Sequence, residues 1–328
     1  MRFFLTCFLG LLLLPGFLSG QCDTVMTEAL KGEGIYAMLR RNGYSASYFT
    51  EFIKINKASI GADSSLISGR KYRLPCKPAA SNESENLSDP DNQDEPVDSL
   101  LQGSVFYIIA GHGGPDPGAV ANIDNTMITE DEYAYDIALR LKREIESHSG
   151  VAYLIVTDPN DSIRNDRLLI HDTDELCYPG LEIPREQNSR LLQRVDAVNK
   201  LYDSIGASTH QRVVEIHLDS RADSQKIDVF FYYHTTSEKG KKLAEIMVET
   251  FEAKYREHQP NRGYKGSATP RSLMVLRKTK PVGVFMELGN ITNSTDQKRF
   301  LNPDNRDALA KWICAGLITE YELYKKPK

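Results

Sequence analysis

A run of apolar residues, Val105 to Ala110, stops at Gly111-His112-Gly113-Gly114-Pro115-Asp116-Pro117-Gly118-Ala119. A short apolar run closed by glycine reads as a buried strand that ends in a tight turn. Glycine lets a backbone bend sharply and approach a neighbouring group closely. Open α/β sheets place their chemistry at the carboxyl ends of their strands. An imidazole on such a turn is a candidate metal ligand or general base. The run therefore demands a sheet that buries this strand. Its chemical meaning depends on which residues arrive at the ends of the other strands.

Strand and helix patterns alternate after this point. Ala152 to Thr157, Arg212 to Ile216, Asp228 to Tyr233, Leu273 to Leu276 and Val282 to Met286 read as strands. Glu132 to Ser147 reads as a helix with Ile137, Leu141 and Ile145 on one face. Ser189 to Ile205, Glu238 to Tyr255 and Asn305 to Tyr321 read as further helices. Strands separated by amphipathic helices imply an α/β sandwich around a mixed, mostly parallel sheet.

The chain has 328 residues, enough for one large domain and one small one, and a net charge of −5. Without a basic stripe, nucleic acid is not an expected partner. Arg2 followed by the apolar Phe3 to Leu18 and the small Leu18-Ser19-Gly20 reads as a signal peptide over 1–20, cleaved after Gly20. The chain is thus expected to be exported, to the periplasm, the cell wall or the medium. Membrane attachment would need the leader to be retained or Cys22 to be lipidated. Cys22, Cys76, Cys177 and Cys314 then remain, and two disulfides, Cys22–Cys76 and Cys177–Cys314, are expected. Free buried thiols are the alternative for the second pair. Residues 78–101 read as an acidic, disordered linker: 78–99 carry Glu83, Glu85, Asp89, Asp91, Asp94, Glu95 and Asp98 and almost nothing apolar. It separates a small segment, 22–77, from a large one, 102–328.

Two more apolar runs end in ionisable groups: Val213-Val214-Glu215-Ile216-His217 and Val282-Gly283-Val284-Phe285-Met286-Glu287. Ile128-Thr129-Glu130-Asp131-Glu132 opens the first large helix, with Thr129 as a candidate cap. Three strands delivering His112, His217 and Glu287 to one edge, with Glu130 at the helix mouth, make a convergent polar site in an apolar frame. Two histidines and a carboxylate with an open position are a common ligand set for catalytic zinc. Asp131 and Glu132 compete with Glu130 as first-turn charges that complement the helix dipole. A salt bridge to Arg277 is the plain alternative for Glu287. His171, His210 and His234 read as surface or loop residues. The long polar stretch Asp158 to Glu186 is either a wall of the site or a surface insertion.

From residue 104 to about 322 the chain closely resembles the zinc-dependent N-acetylmuramoyl-L-alanine amidases. The resemblance rests on four ordered pieces. The first two are the motif at 111–119 and Glu130 with Ile137-Ala138-Leu139-Arg140-Leu141-Lys142. The third is Leu191-Leu192-Gln193-Arg194. The last runs from Met274-Val275-Leu276-Arg277 to Phe285-Met286-Glu287-Leu288-Gly289-Asn290. It implies the zinc amidase fold, Zn2+ held by His112, Glu130 and His217, and Glu287 as acid/base. Arg277 and Asn290 are candidate substrate contacts. The reaction implied is hydrolysis of the amide between N-acetylmuramic acid and L-alanine in peptidoglycan. A non-catalytic peptidoglycan-binding protein, or a zinc peptidase cutting within the stem peptide, are the alternatives. Two departures stand out: Glu215 and Asp219 flank His217 where the family usually has Ser and Asn, and Asn290 replaces an aromatic.

The small segment resembles a LysM module, a βααβ fold that binds N-acetylglucosamine-containing glycans. The matching pieces are Lys31-Gly32-Glu33-Gly34-Ile35-Tyr36 as an opening turn, Asn56 after the second helix, and Leu66 to Pro75 as the closing strand.

Overall fold

The computed structural model describes residues 25–30, 35–42, 44, 48–60, 66–75, 96–222 and 225–326. The expected signal peptide, Cys22 and Cys76 with their pairing, the turn at 31–34 and most of the linker lie outside the described residues. The chain divides into two compact units, residues 1–86 and 87–328.

The first unit has the order β1 (Met26–Glu28), α1 (Ile35–Arg41), α2 (Phe49–Asn56), β2 (Lys71–Arg73). β1 and β2 pair antiparallel, with Thr27 opposite Tyr72. Met38, Leu39, Phe52 and Tyr72 are sealed from solvent in its core. Asn56 pins the closing strand: its Nδ2 donates to the Arg73 carbonyl at 2.8 Å and its Oδ1 accepts the Arg73 amide at 2.8 Å. A side-chain amide can mimic a strand edge in this way because it carries both a donor and an acceptor.

The second unit begins with β3 (Ser104–Ala110), a hairpin of β4 (Val120–Ile123) and β5 (Thr126–Thr129), then α3 (Glu130–Ser147) and β6 (Val151–Leu154). Three short strands follow, β7 (Val156–Thr157), β8 (Leu176–Cys177) and β9 (Leu181–Glu182), then α4 (Gln187–Ile205) and β10 (His210–Asp219). The remainder is β11 (Phe230–Tyr233), α5 (Glu238–His258), β12 (Ser267–Pro270), α6 (Met274–Lys278), β13 (Val282–Asn290), α7 (Ser294–Leu301) and α8 (Pro303–Lys325).

The main sheet has the order β12-β11-β13-β10-β3-β6. β13, β10, β3 and β6 run parallel, and β11 joins antiparallel to β13. The fold is thus α/β with a mixed, mostly parallel sheet, as the strand and helix alternation implied. Every residue of β3 is buried, which explains its uninterrupted apolar run. Burying each large side chain contributes about 1.5–3 kcal/mol. Parallel register places the ends of β3, β10 and β13 side by side: Ala110 faces Ile216, and His217 faces Glu287.

Four expectations are corrected. Residues 273–276 do not form a strand; Met274–Lys278 is a helix, because Leu, Met, Arg and Lys favour helix and four apolar residues carry no period. Cys177 and Cys314 are free thiols, each buried in its own element, so the expected Cys177–Cys314 bridge is not formed. The end of the linker, 97–101, packs on the second unit: the Val97 amide donates to the Ser147 carbonyl at 2.7 Å, and Leu101 is fully buried. His210 is no surface residue; it is buried on β10, 2.8 Å from Glu320 on α8, which also pairs with Arg212. No helix among the described residues is long and apolar enough to cross a membrane.

Candidate metal centre

The turn after β3 carries His112 with φ 64°, a left-handed conformation rare for a residue with a side chain. Two glycines make room for it. A Cβ at Gly111 would lie 2.4 Å from the His217 ring, and one at Gly118 would lie 2.7 Å from both Glu130 Oε2 and the His112 ring. These glycines serve the close approach of imidazoles and a carboxylate, which nothing in the local sequence announces.

Glu130 is the first residue of α3, behind the extended Thr129, and is almost fully buried. Its Oε2 lies 3.3 Å from His112 Nε2, and its Oε1 lies 2.7 Å from His217 Nδ1. The amides of Ala119 and Leu218 donate to the same two oxygens at 2.9 and 3.0 Å. One ligand atom from each of His112, Glu130 and His217 lies within 4.8 Å of the others, so this group is able to hold a metal ion.

The outer ring nitrogens are also held. His112 Nδ1 lies 2.9 Å from Asp116 Oδ2, and Asp116 Oδ1 accepts the Gly118 amide at 3.2 Å. Asp116 therefore both orients the imidazole and closes the turn. Arg190 on α4 donates to Asp116 Oδ2 at 2.5 Å, and Arg194 donates to the His112 carbonyl. His217 Nε2 faces Glu215 Oε1 at 3.4 Å, and the ring stacks on Phe285 at 4.2 Å. Carboxylates behind metal-binding imidazoles fix their tautomer and raise their basicity. Glu215 was visible in the sequence only as a departure from serine; its place behind His217 follows from the two-residue period of a strand, which puts both on one face.

The charges respond to this crowding. Burial opposes a charge on His112, yet hydrogen bonds to Asp116 and Glu130 raise the imidazole to about 9. Burial likewise opposes a charge on His217, but Glu130 and Glu215 raise it to about 10. Burial works to raise Glu130, and the two imidazoles outweigh it and hold the carboxyl well below the usual range. Hydrogen bonding to His112 holds Asp116 well below its usual value. The carboxylates of the centre thus favour positive charge among its donors.

Glu287 stands beside His217 on β13. Burial pushes its carboxyl up to about 8, and its Oε2 is sealed with no hydrogen-bond partner. It forms no salt bridge to Arg277. That arginine is on the surface of α6, where it reaches Ser272 at 3.4 Å, and α6 packs at the start of β13, with Leu276 beside Gly283. Asn290 is fully buried and its amide is committed: Nδ2 donates to the carbonyls of Ala222 and Gln225, and Oδ1 accepts from Arg221 and Thr292. It ties Arg221, Ala222 and Gln225 together rather than facing a ligand. The 158–186 stretch does adjoin the site: Glu175 Oε2 accepts the Gly114 amide at 2.6 Å.

The Amidase_3 family model, described as N-acetylmuramoyl-L-alanine amidase, matches residues 106–319, more than half of the chain. Over 219 residues the chain is 25% identical to the germination-specific N-acetylmuramoyl-L-alanine amidase of Bacillus subtilis (strain 168), covering 66% of this chain and 80% of that one. Over 217 residues it is 27% identical to the Staphylococcus aureus protein named "Probable cell wall amidase LytH", covering 66% of this chain and 58% of that one. A solved N-acetylmuramoyl-L-alanine amidase from Clostridium difficile 630 superposes with a TM-score of 0.49 at 18% identity, over 69% of this chain and all of that one.

Proposed function

This chain belongs to the Amidase_3 family of N-acetylmuramoyl-L-alanine amidases, and we propose that it is an exported, zinc-dependent member that hydrolyses the amide between N-acetylmuramic acid and L-alanine in peptidoglycan. The observation that carries this reading is the meeting of His112, Glu130 and His217 within 4.8 Å, with the unpartnered Glu287 on the adjoining strand. The donor set fits zinc: two imidazoles and one carboxylate leave room for a further ligand. A zinc ion bound there supplies a Lewis acid for the scissile carbonyl and lowers the pKa of water. The chain's own residues do the rest. Asp116 and Glu215 face the outward ring nitrogens and would keep those protonated, so that His112 Nε2 and His217 Nδ1, once free of their own protons, would present lone pairs to an ion held there. Glu287 accepts the proton of the attacking water and returns it to the departing amine of L-alanine.

The first unit supports a role in targeting. Its βααβ order and the strand-clamping Asn56 accord with a LysM-like module over 22–77 that binds the glycan. The apolar leader at 1–20 supports export to the periplasm, wall or medium.

Digestion of purified sacculi tests the reaction. Mass spectrometry is expected to find intact stem peptides beginning at L-alanine and glycan with a bare lactyl group. A chelator is expected to stop the release and Zn2+ to restore it. Peptides cut internally would make the chain a peptidase, and glycan binding without any release would make it a wall-binding protein.

The glycine at 111 gives a second expected result. Gly111→Ala puts a methyl group into the His217 ring. Because the imidazole must move from its supporting carboxylate, zinc affinity should fall roughly 10–100-fold. A competition titration against a chromogenic chelator measures it, and unchanged affinity would remove Gly111 from the account.

A further inference from the structure

We infer that the first turn of α3 and the 158–175 loop build a second cation site, separate from the His112–Glu130–His217 centre, which takes a divalent transition ion such as Zn2+ or Mn2+. Its donors are Asp131, Glu132 and His171, which offer ligand atoms within 4.8 Å of one another. Glu130 turns one way from the helix start, and the next two carboxylates meet the loop.

Asp131 is 2% exposed and Glu132 is 1% exposed. Asp131 Oδ1 accepts the Glu132 amide at 2.9 Å, whereas its Oδ2 is buried and makes no hydrogen bond. That oxygen points at His171 Nδ1, 3.7 Å away, which is likewise buried and without a hydrogen bond. Glu132 Oε1 lies 3.9 Å from the same nitrogen. These gaps exceed a hydrogen bond of about 2.7–3.2 Å. They suit donors that each stand about 2.0–2.2 Å from an ion between them. The Asp131–His171 ion pair is open at 3.7 Å and leaves both atoms without a hydrogen bond, at a cost of about 1–3 kcal/mol each.

Supporting groups already hold the donors. Glu132 Oε2 pairs with Arg164 at 2.8 Å, and Glu132 Oε1 also accepts the Asp172 amide at 3.0 Å. Carboxylates crowd the same loop: Asp158, Asp161 and Asp172 form one close group, and Glu132, Asp172 and Glu175 another. Arg164 is the guanidinium shared by Glu132 and Asp161. The nitrogen donor distinguishes the proposed site from these all-oxygen groups and selects a transition ion over Ca2+ or Mg2+. The site would fasten the loop whose Glu175 holds the Gly114 amide of the histidine turn.

Zinc counting on the full chain, stripped with chelator, reloaded and desalted, tests the inference. Wild type is expected to hold two zinc ions per chain, and His171→Asn, Asp131→Asn and His112→Asn one each. His171→Asn with His112→Asn should hold none. Limited proteolysis gives a readout independent of the count: Zn2+ should protect the 158–175 loop in wild type and in His112→Asn, but not in His171→Asn. A single zinc in wild type, lost in His112→Asn and kept in His171→Asn, overturns the second site while leaving the first standing. Loss of zinc confined to His171→Asn would instead refute the first site and uphold the second. Two ions that persist in both His171→Asn and Asp131→Asn would also overturn the assignment.

Discussion

Glu287→Gln is expected to lower amide hydrolysis by about 10²–10⁴-fold, the range that a positioned general acid–base group contributes. The argument runs from register to chemistry. Parallel pairing sets Glu287 against His217, so the carboxyl adjoins the metal-binding group without belonging to it. Burial pushes the acid up to about 8, and Oε2 has no hydrogen-bond partner among the described residues. A carboxyl poised near neutrality can both take and return a proton, which glutamine cannot. The two side chains have nearly the same shape, so the substitution should leave zinc content at the wild-type level while turnover collapses. The pH profile carries the sign. Only the carboxylate accepts a proton, so wild-type activity should rise with pH through the Glu287 pKa. A bound cation favours the carboxylate and moves that limb below about 8. The residual activity of Glu287→Gln should lack the limb. Turnover within a factor of a few of wild type, at equal zinc, would take the acid–base role away from Glu287.

The parts of this site legible in the sequence are those written in local pattern. β3, β10 and β13 each announce themselves as an apolar run stopped by a glycine turn or an ionisable residue, and parallel register aligns the stops. Glu130 was legible as the opening of a helix and its register favoured it as the ligand, with Asp131 and Glu132 as rivals that could serve only as first-turn charges. The structure divides the three between two directions, and only tertiary placement of the 158–175 loop makes that division. Gly111 and Gly118 were legible as turn formers, but their closest neighbours are side chains from β10 and α3. Buried His210, on β10, was hidden because its partner Glu320 is 110 residues away on α8. Asn290 read as a ligand contact for its position after Glu287, and long-range carbonyls claim its amide. The Met274–Lys278 turn failed for a different reason: a segment of one helical turn has no period to read.

Asp136→Asn is expected to destabilise the α/β unit by about 3–5 kcal/mol, the cost of removing one member of a buried ionic group and stranding the rest. Asp136 is fully buried on α3, and its Oδ2 receives Arg140 Nε at 2.7 Å and Arg306 Nε at 2.6 Å. Its Oδ1 accepts the Arg164 amide at 2.8 Å. Arg306, on α8, spends its other protons on the carbonyls of Phe300, Arg164 and Asp166. Arg140 adds Asp307 and the Arg164 carbonyl. One carboxylate thus sits between two guanidinium groups and ties α3, α8 and the 164–166 loop together. Asparagine keeps the size but replaces the negative charge with a neutral amide, so two buried cations face each other with less compensation. At ~2–4 °C per kcal/mol for a domain of this size, the melting temperature should fall roughly 10 °C. Arg306→Leu should also destabilise. In the double variant with Asp136→Asn, the loss should be smaller than the sum, because the second substitution removes a cation the first had stranded. The loop should loosen with the network, since Arg306 and Arg140 hold its carbonyls. Faster proteolysis at 164–166 in Asp136→Asn, below the melting transition, is the expected sign. A melting temperature within a degree of wild type, or strictly additive losses in the double variant, would show that the network holds the fold less tightly than its geometry implies.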